Sequence, residues 1–562
     1  MDAERLPGPS EPRHTFVVSD LHLAEAEPSH PGNPLWKRYK RRSHFVDKSF
    51  KRFLEHLREA AHGPLEVVFN GDVFDFDATM ALPERPPFGV SWLERHRGLT
   101  AQEAKSRYKM SVILEDHPVW VRAVREWVQD GHHVVFVIGN HDLELHWPAV
   151  RDELMRWFAL ADDDAERVRV CEWFYVSSGD TLIEHGNQYD PYCVCPSPLQ
   201  PVVRKRGAEY VRLPFGNLAA RFMLNGMGLF NPHVDSSFIK SSFFEYVKFF
   251  YQYLLRIQPL LGWTWFWSSL VTFLYALEEA VLPPVKHAPL DFEGHVEDIA
   301  ARANATPRVV RSLAQLHAHP AVLSPLRVMR ELWLDRALLV VLALMFSFEL
   351  TLLTKLFVQV PLWGFVAPFA VLMPWVIRYA RGVESENEEA QKGALEKLDL
   401  SSQIAGVSRV VHGHTHRQMH RWIGGVELIN TGTWSPAFHD VECTQPYGLK
   451  CFAWIRPGER GAPRQASLFE WADPGIRTLA VERLPVTTDE PRTRLLPARK
   501  GRKAGEALGG AGAAPALESA AAAAAMSLAS NAADAAATAG RTAKRAARSR
   551  LGLTAILRAV LP

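Results

Sequence analysis

Residues 133–142 read HVVFVIGNHD, a β-branched apolar run that ends on a glycine and then presents an amide, an imidazole and a carboxylate side by side. The run has the length of one buried strand, and the glycine permits a tight turn that brings the polar groups to the strand's carboxyl edge. Functional groups of α/β sheets collect at that edge. Working outward, the same construction recurs. TFVVS (15–19) leads to Asp20-Leu21-His22, LEVVF (65–69) to Gly71-Asp72-Val73-Phe74-Asp75, and DTLIEH (180–185) stops at His185-Gly186. After a long interval, VSRVVH (407–412) leads into His412-Gly413-His414-Thr415-His416, with VELIN (426–430) behind it. Longer helical stretches separate the early runs, which is the pattern of an α/β domain.

Five strand endings of this kind can converge on one place. The first offers Asp20 and His22, the second Asp72 and Asp75, the third Asn140, His141 and Asp142. The fourth offers His185 and the last His412, His414 and His416. Carboxylate, imidazole and amide oxygen suit Mn, Fe, Zn or Mg, and the absence of cysteine from the set argues against a closed structural zinc site. Two ions roughly 3.5 to 4 Å apart can clamp the attacking and leaving oxygens of a displacement at phosphorus. One carboxylate must then bridge them, and Asp72 is the candidate. Each motif alone is weak; DxH, GDxxD, GNHD and HGHTH in this order leave little room for accident.

The series Asp20-Leu21-His22, Gly71-Asp72-Val73-Phe74-Asp75, Gly139-Asn140-His141-Asp142, His185 and Gly413-His414-Thr415-His416 resembles the calcineurin-like metallophosphoesterase superfamily over residues 14–191 and 400–455. The resemblance implies a sandwich of two mixed sheets flanked by helices. It also implies two divalent metal ions, Mn first and Fe, Zn or Mg as alternatives. Asp20, His22 and His416 would hold one ion, Asn140, His185 and His414 the other, with Asp72 between them. His141 would act as general acid or phosphate contact, oriented by Asp142, with Asp75 and His412 behind the ligands. The implied activity is hydrolysis of a phosphoester or pyrophosphate bond by a hydroxide shared between the ions, which lower the pKa of a bound water. An imidazole near the leaving oxygen can donate the proton that oxygen needs. GDVFDFD (71–77) and HGHTHR (412–417) further resemble the bacterial branch that cleaves UDP-2,3-diacylglucosamine, which implies a lipid-linked pyrophosphate or nucleotide-sugar substrate. That branch commonly has Arg where this chain has His141.

The rest of the chain bounds the setting. At 562 residues it exceeds one compact core, so a catalytic domain with large additions is expected. Basic and acidic side chains number 64 and 62, and no global field or basic stripe points to nucleic acid. Five cysteines without a CxxC spacing predict neither a disulfide framework nor a zinc knuckle. The amino-terminal MDAERLPGPSEPRHTF has no apolar run after its charges and does not read as a signal peptide, so a cytoplasmic catalytic part is expected. The domain reading is a core over 14–194 and 400–490, a hydrophobic helical insert over 195–399 peripheral to it, and an Ala-rich low-complexity tail over 497–562 whose basic end could form an interfacial helix.

Within the insert, residues 257–277 and 356–377 carry no formal charge and have spanning length, and 337–354 is nearly as apolar but for Glu349. His185 and His414 must meet on one side of a membrane, so the number of spans between them is even. Two is the economical number, either a hairpin over 337–377 or one span from each apolar stretch. Arg327, Arg330, Arg336, Arg378 and Arg381 put the hairpin ends on the cytoplasmic face, and Trp263, Trp265 and Trp267 suit an interface. Membrane attachment through residues 257–377 is therefore expected; a soluble helical cap is the alternative. The basic run Trp36-Lys37-Arg38-Tyr39-Lys40-Arg41-Arg42 reads as a phosphate grip or a solvated face, and Trp434 as core or site lining. The competing functions are a soluble-substrate phosphodiesterase or nuclease, and a non-catalytic scaffold of the same fold.

Overall fold

The computed structural model describes residues 14–29, 32–205, 207–228, 251, 260–281, 285–286, 292–382, 393–458 and 462–483. The Ala-rich stretch at 497–562 lies outside the described residues.

Four strands, β1 (His14–Val18), β2 (Leu65–Asn70), β3 (His133–Val137) and β4 (Val168–Cys171), run parallel in that order. Beyond β1 the sheet continues antiparallel through β13 (Cys451–Arg456), β14 (Gln465–Trp471) and β15 (Ile476–Thr478), making seven strands. The second sheet has six. Its parallel centre is β6 (Thr181–Glu184), β10 (Arg409–His412) and β12 (Val426–Asn430), flanked by β5 (Phe174–Ser177), β11 (Met419–Ile423) and β16 (Glu482–Arg483). A small third sheet joins β7 (Val202–Lys205), β8 (Ala208–Val211) and β9 (Val285–Lys286). Two mixed sheets flanked by helices are the architecture expected from the sequence.

Side chains alternate across each strand and are buried on both faces, which is why the runs read as continuously apolar. Val17, Val68, Val135 and Val137 of the first sheet meet Ile183, Val411 and Ile429 of the second, forming the middle of the sandwich. Phe16, Val67, Phe69, Val134 and Phe136 point the other way, under the Asp47–Ala60 and Pro118–Gln129 helices, whose Phe50, Phe53, Leu57, Trp120, Val124 and Trp127 fall at helical spacing. Trp434 belongs to this core: its ring packs 5.4 Å from Phe50 and 5.0 Å from Phe53, and its indole N–H donates to the Cys451 carbonyl at 2.7 Å.

Part of the insert is not peripheral. Val296, Ile299, Val310 and Leu313, from the Phe292–Arg302 and Pro307–Ala314 helices, cover Leu182, Val410 and Leu428 on the outer face of the second sheet. The sheet needs that cover because its outer face is apolar. The Leu261–Val281 helix buries Ser268, Ser269, Thr272 and Ala276, and its Glu278 pairs with Lys205 at 3.4 Å. The Leu334–Lys355 and Val366–Gly382 helices behave differently, turning Phe346, Leu353, Val371 and Trp375 to the outside, with Phe357 and Trp363 exposed in the connection between them. The basic run at 36–42 is not a uniformly solvated face: Arg42 is exposed and pairs with Asp116, but its two lysines are not. Lys37 and Lys40 are buried, and the Lys40 ammonium donates to the Ala78 carbonyl at 2.7 Å.

Candidate metal centre

The ligand-type residues sit where β1, β2, β3, β6 and β10 end, and the backbone there is unusual. Asp20, His22, Asp72, His414 and His416 all take positive φ, between 49° and 65°. Each such residue costs of order 1–3 kcal/mol and persists only where its surroundings over-determine it. Two glycines make room for the ligands. A Cβ on Gly71 would lie 2.3 Å from His185 Nδ1, and one on Gly139 would lie 2.4 Å from Asp72 Oδ1.

Two groups result. In the first, His416 Nε2 lies 3.2 Å from Asp20 Oδ1, and His22 Nε2 lies 3.2 Å from His416 Nε2 and 3.9 Å from Asp20 Oδ1. In the second, His185 Nε2 lies 3.1 Å from Asp72 Oδ2, with His414 beside them. Asp72 Oδ2 is also 3.9 Å from His22 Nε2, so this carboxylate touches both groups. The turn that carries Asn140 is fixed to the same residue, since the His141 N–H donates to Asp72 Oδ1 at 2.8 Å.

The unsatisfied atoms show what the place is built to hold. Asp20 Oδ1, Asn140 Oδ1 and His185 Nε2 are buried and have no hydrogen-bond partner. His185 Nδ1 is committed to the Asn70 carbonyl at 2.8 Å, so Nε2 is the nitrogen that faces inward, toward Asp72, and would give up its proton to bind an ion. Leaving such acceptors empty costs about 1–3 kcal/mol each, and a divalent cation satisfies them together. Oxygen and imidazole donors surround the place. The one nearby thiol, Cys193, is held protonated, because burial and then Asp190 push its pKa well above the usual range. The residues present thus fit hard or borderline divalent ions.

Without an ion, the charges of the centre compensate one another. Burial opposes ionisation of Asp72, but His185, His141 and His22 outweigh it and hold the carboxyl well below its usual range. Burial likewise disfavours charge on His185, and Asp72 and Asp20 overcome it, raising the imidazole to about 9.

His141 lies at the edge of this cluster, part-exposed, its ring 4.9 Å edge-on from that of His22. Its Nδ1 faces Asp75 Oδ1 at 3.3 Å and Asp77 Oδ2 at 3.9 Å. Asp142 does not orient it. The two Asp142 oxygens accept the Val73 N–H at 2.8 Å and the Gly139 N–H at 2.6 Å, so Asp142 ties the GNHD turn to the GDxxD turn. His412 points away from the centre, its Nε2 3.0 Å from Glu184 Oε1.

Three functional side chains escaped the sequence reading. Asp77 lies two positions beyond Asp75 in GDVFDFD. Asp190 lies five positions after His185, and its Oδ2 is 3.1 Å from His414 Nε2. Asn217 comes from the insert and carries no motif at all.

Residues 14–211 match the family model described as calcineurin-like phosphoesterase. The match takes in Asp20, His22, Asp72, Asn140, His141 and His185, and stops before His414 and His416. No curated protein matches the chain.

Proposed function

Starting from a chain that carries a calcineurin-like phosphoesterase domain and is a metal-dependent hydrolase of phosphoester bonds, we propose that it uses two divalent ions to cleave a phosphoester or pyrophosphate bond in a membrane-borne, amphiphilic substrate. Mn2+ is the first candidate ion, ahead of Fe, Zn or Mg. The observation that carries the chemistry is the set of buried, unpartnered acceptors on Asp20, Asn140 and His185 around Asp72. Asp20, His22 and His416 would hold one ion, Asn140, His185 and His414 the other, and Asp72 would serve both. A pair of divalent ions bound there supplies a water of lowered pKa and offsets negative charge on the phosphoryl oxygens. His141 gives a proton to the leaving oxygen. With Nδ1 committed to Asp75, Nε2 is the nitrogen left to carry that proton.

The hairpin supports the membrane part of the reading. Leu334–Lys355 has 22 residues and a mean hydropathy of 2.2, and Leu362–Ala380 has 19 and 1.4. At 1.5 Å per residue these span about 33 and 28 Å, close to the hydrocarbon thickness of a bilayer. Their packing is inverted relative to a soluble protein. Small residues, Ala343, Ser347 and Thr351, are buried, while Leu353 and Trp375 are 58% and 71% exposed. Membrane helices pair through small residues and turn large ones to lipid. The Tyr379 hydroxyl donates to Asp335 Oδ2 at 2.8 Å, so the two helices begin and end side by side. Exposed Arg330 and Arg378 near that end support a cytoplasmic face for it by the positive-inside rule. A lipid-linked pyrophosphate, the substrate that GDVFDFD and HGHTHR imply, would be presented at the same surface.

The test is to extract membranes with alkaline carbonate and to replace residues 337–378 by a short Gly/Ser linker. The full chain should stay with membranes. The linker protein should be soluble, hydrolyse p-nitrophenyl phosphodiesters as before, and lose most activity on a lipid-linked pyrophosphate in vesicles. A full chain that is soluble and monodisperse without detergent, or two proteins equally active on both substrates, refutes the membrane reading.

A further inference from the structure

We propose that Asn217, on the insert's Phe215–Phe222 helix, is a positioning residue for the second ion site, that of Asn140, His185 and His414; this rests on the two-ion reading above. Asn217 is wholly buried. Its Nδ2 donates to the Asn140 backbone carbonyl at 2.7 Å and to Asp77 Oδ2 at 2.5 Å. Both partners are acceptors, so the amide nitrogen is the end that must face them. The Asn140 carbonyl and the His141 N–H belong to one peptide unit. Asn217 holds its oxygen, and Asp72 Oδ1 holds its N–H at 2.8 Å. That plane is thereby fixed from both sides, and with it the directions in which the Asn140 and His141 side chains leave the turn.

The same helical turn also braces the other half of the second site. The Gly216 N–H donates to the Tyr192 carbonyl at 2.8 Å, and a Cβ at Gly216 would lie 3.0 Å from Cys193 Sγ. Only glycine lets the helix come so close to the 185–193 loop. That loop carries His185 and also Asp190, the partner of His414 Nε2. Behind the helix, Arg221 donates to the Gly98 carbonyl at 2.6 Å, Asn225 donates to the Asp77 carbonyl at 2.7 Å, and Phe222 stacks on Tyr275 at 4.7 Å. The Phe215–Phe222 helix thus meets the second ion site twice, at the Asn140 peptide and at the loop that follows His185.

The experiment titrates Mn2+ into the full chain in detergent, by calorimetry and by electron paramagnetic resonance, for wild type, Asn217→Asp and Asn217→Leu. Aspartate keeps the size of the side chain but puts an acceptor where two donors stood; leucine removes the donors without adding charge. Removing a partner behind a metal ligand commonly costs about 10- to 100-fold in affinity. Both variants should lose about that much at the second ion and little at the first, so that the exchange-coupled spectrum of the pair gives way to the six-line spectrum of isolated Mn2+. Melting temperatures of all three proteins accompany the titration. A wild-type chain that takes only one ion overturns the two-ion reading itself. A wild-type chain that takes two, with either folded variant taking two at unchanged affinity, overturns the role of Asn217 alone. A parallel loss at both sites together with a fallen melting temperature also overturns it, because a merely structural asparagine would give that result.

Discussion

Asp75→Asn should disable His141 while both ion sites still fill. Asp75 Oδ1 stands 3.3 Å from His141 Nδ1. Burial opposes protonation of that imidazole, and Asp75 leads the attractions, ahead of Asp72 and Asp77, that hold its pKa well above the usual range. At 3.3 Å and an effective dielectric constant near 20, two unit charges attract by about 5 kcal/mol. Asp77 at 3.9 Å and Asp72 remain, so a net loss of roughly half, about 2–3 kcal/mol, is expected, which is about 30- to 150-fold. Asparagine can also donate to the Nδ1 lone pair, which stabilises the neutral imidazole over the acid and works in the same direction. The assay is kcat over a series of aryl and alkyl phosphodiesters, with metal content measured on each protein. An alkyl leaving group needs the proton and should show the full loss; p-nitrophenolate needs none and should lose only a few-fold. His141→Ala should show the same pattern more steeply, within about 10²- to 10⁴-fold. Asp142→Asn should lower the melting temperature, because it weakens the tie between two turns, yet leave the leaving-group dependence unchanged. Equal losses of Asp75→Asn on alkyl and p-nitrophenyl substrates would refute the reasoning. So would a steepened dependence in Asp142→Asn alone.

Asp72→Ala should lose both ions, because one carboxylate faces both groups of ligands; elemental analysis that finds one ion retained contradicts this. His317 offers a pH prediction remote from the centre. Its ring nitrogens are buried without partners, its ring packs 5.5 Å from that of Trp173, and burial lowers its pKa from 6.5 to about 4. The folded value lies below the unfolded one, so protonation favours unfolding. Stability from this site is whole above pH 6.5 and is lost progressively as pH falls toward 4, by about 3 kcal/mol in all. His317→Leu should flatten that part of the curve of melting temperature against pH, and superimposable curves would count against it.

The residues that gather at the centre were legible because each follows its own strand within a few residues, so local sequence fixed both the residue and the sheet edge. What stayed hidden depends on contacts between distant segments. Asp142 adjoins His141 in sequence and invites pairing with it. The GNHD turn instead directs Asp142 back to the Val73 and Gly139 amides and leaves His141 to Asp75, 66 positions away. Asp190 meets His414 across 224 positions, and Asn217 meets Asn140 across 77. No periodicity or spacing records such pairs. The same holds for β13 and β14. They complete the first sheet beyond β1, yet CFAWIR and QASLFEW carry no ligands at their ends, and a reading that followed ligand-bearing strands passed over them.

Length alone does not separate the apolar stretches of the insert, because 257–277 and 337–377 are both long enough to span a bilayer, although among the described residues only Leu334–Lys355 and Leu362–Ala380 form helices apolar enough to do so. Packing separates them. The Leu261–Val281 helix sets Ala276 against Phe222, Val322 and Val328, and at its carboxyl end Glu278 and Glu279 meet Lys205 and Arg212. A helix with two carboxylates paired to a neighbouring sheet is already placed in protein, and only its first turns expose Trp263 and Trp267. The hairpin has no such cladding. Among the described residues, its side-chain ties across the pair lie at one end, where Tyr379 meets Asp335, with Arg336 over Trp333 at 4.9 Å beside it, while along its length most large side chains are exposed. Of the two pairings that return His414 to His185, the packing therefore favours the hairpin over one span from each stretch. The Leu261–Val281 helix touches both the exposed hairpin and the Phe215–Phe222 helix that carries Asn217, so the part of the insert proposed to bind lipid and the part proposed to brace the second ion are joined by one packed helix.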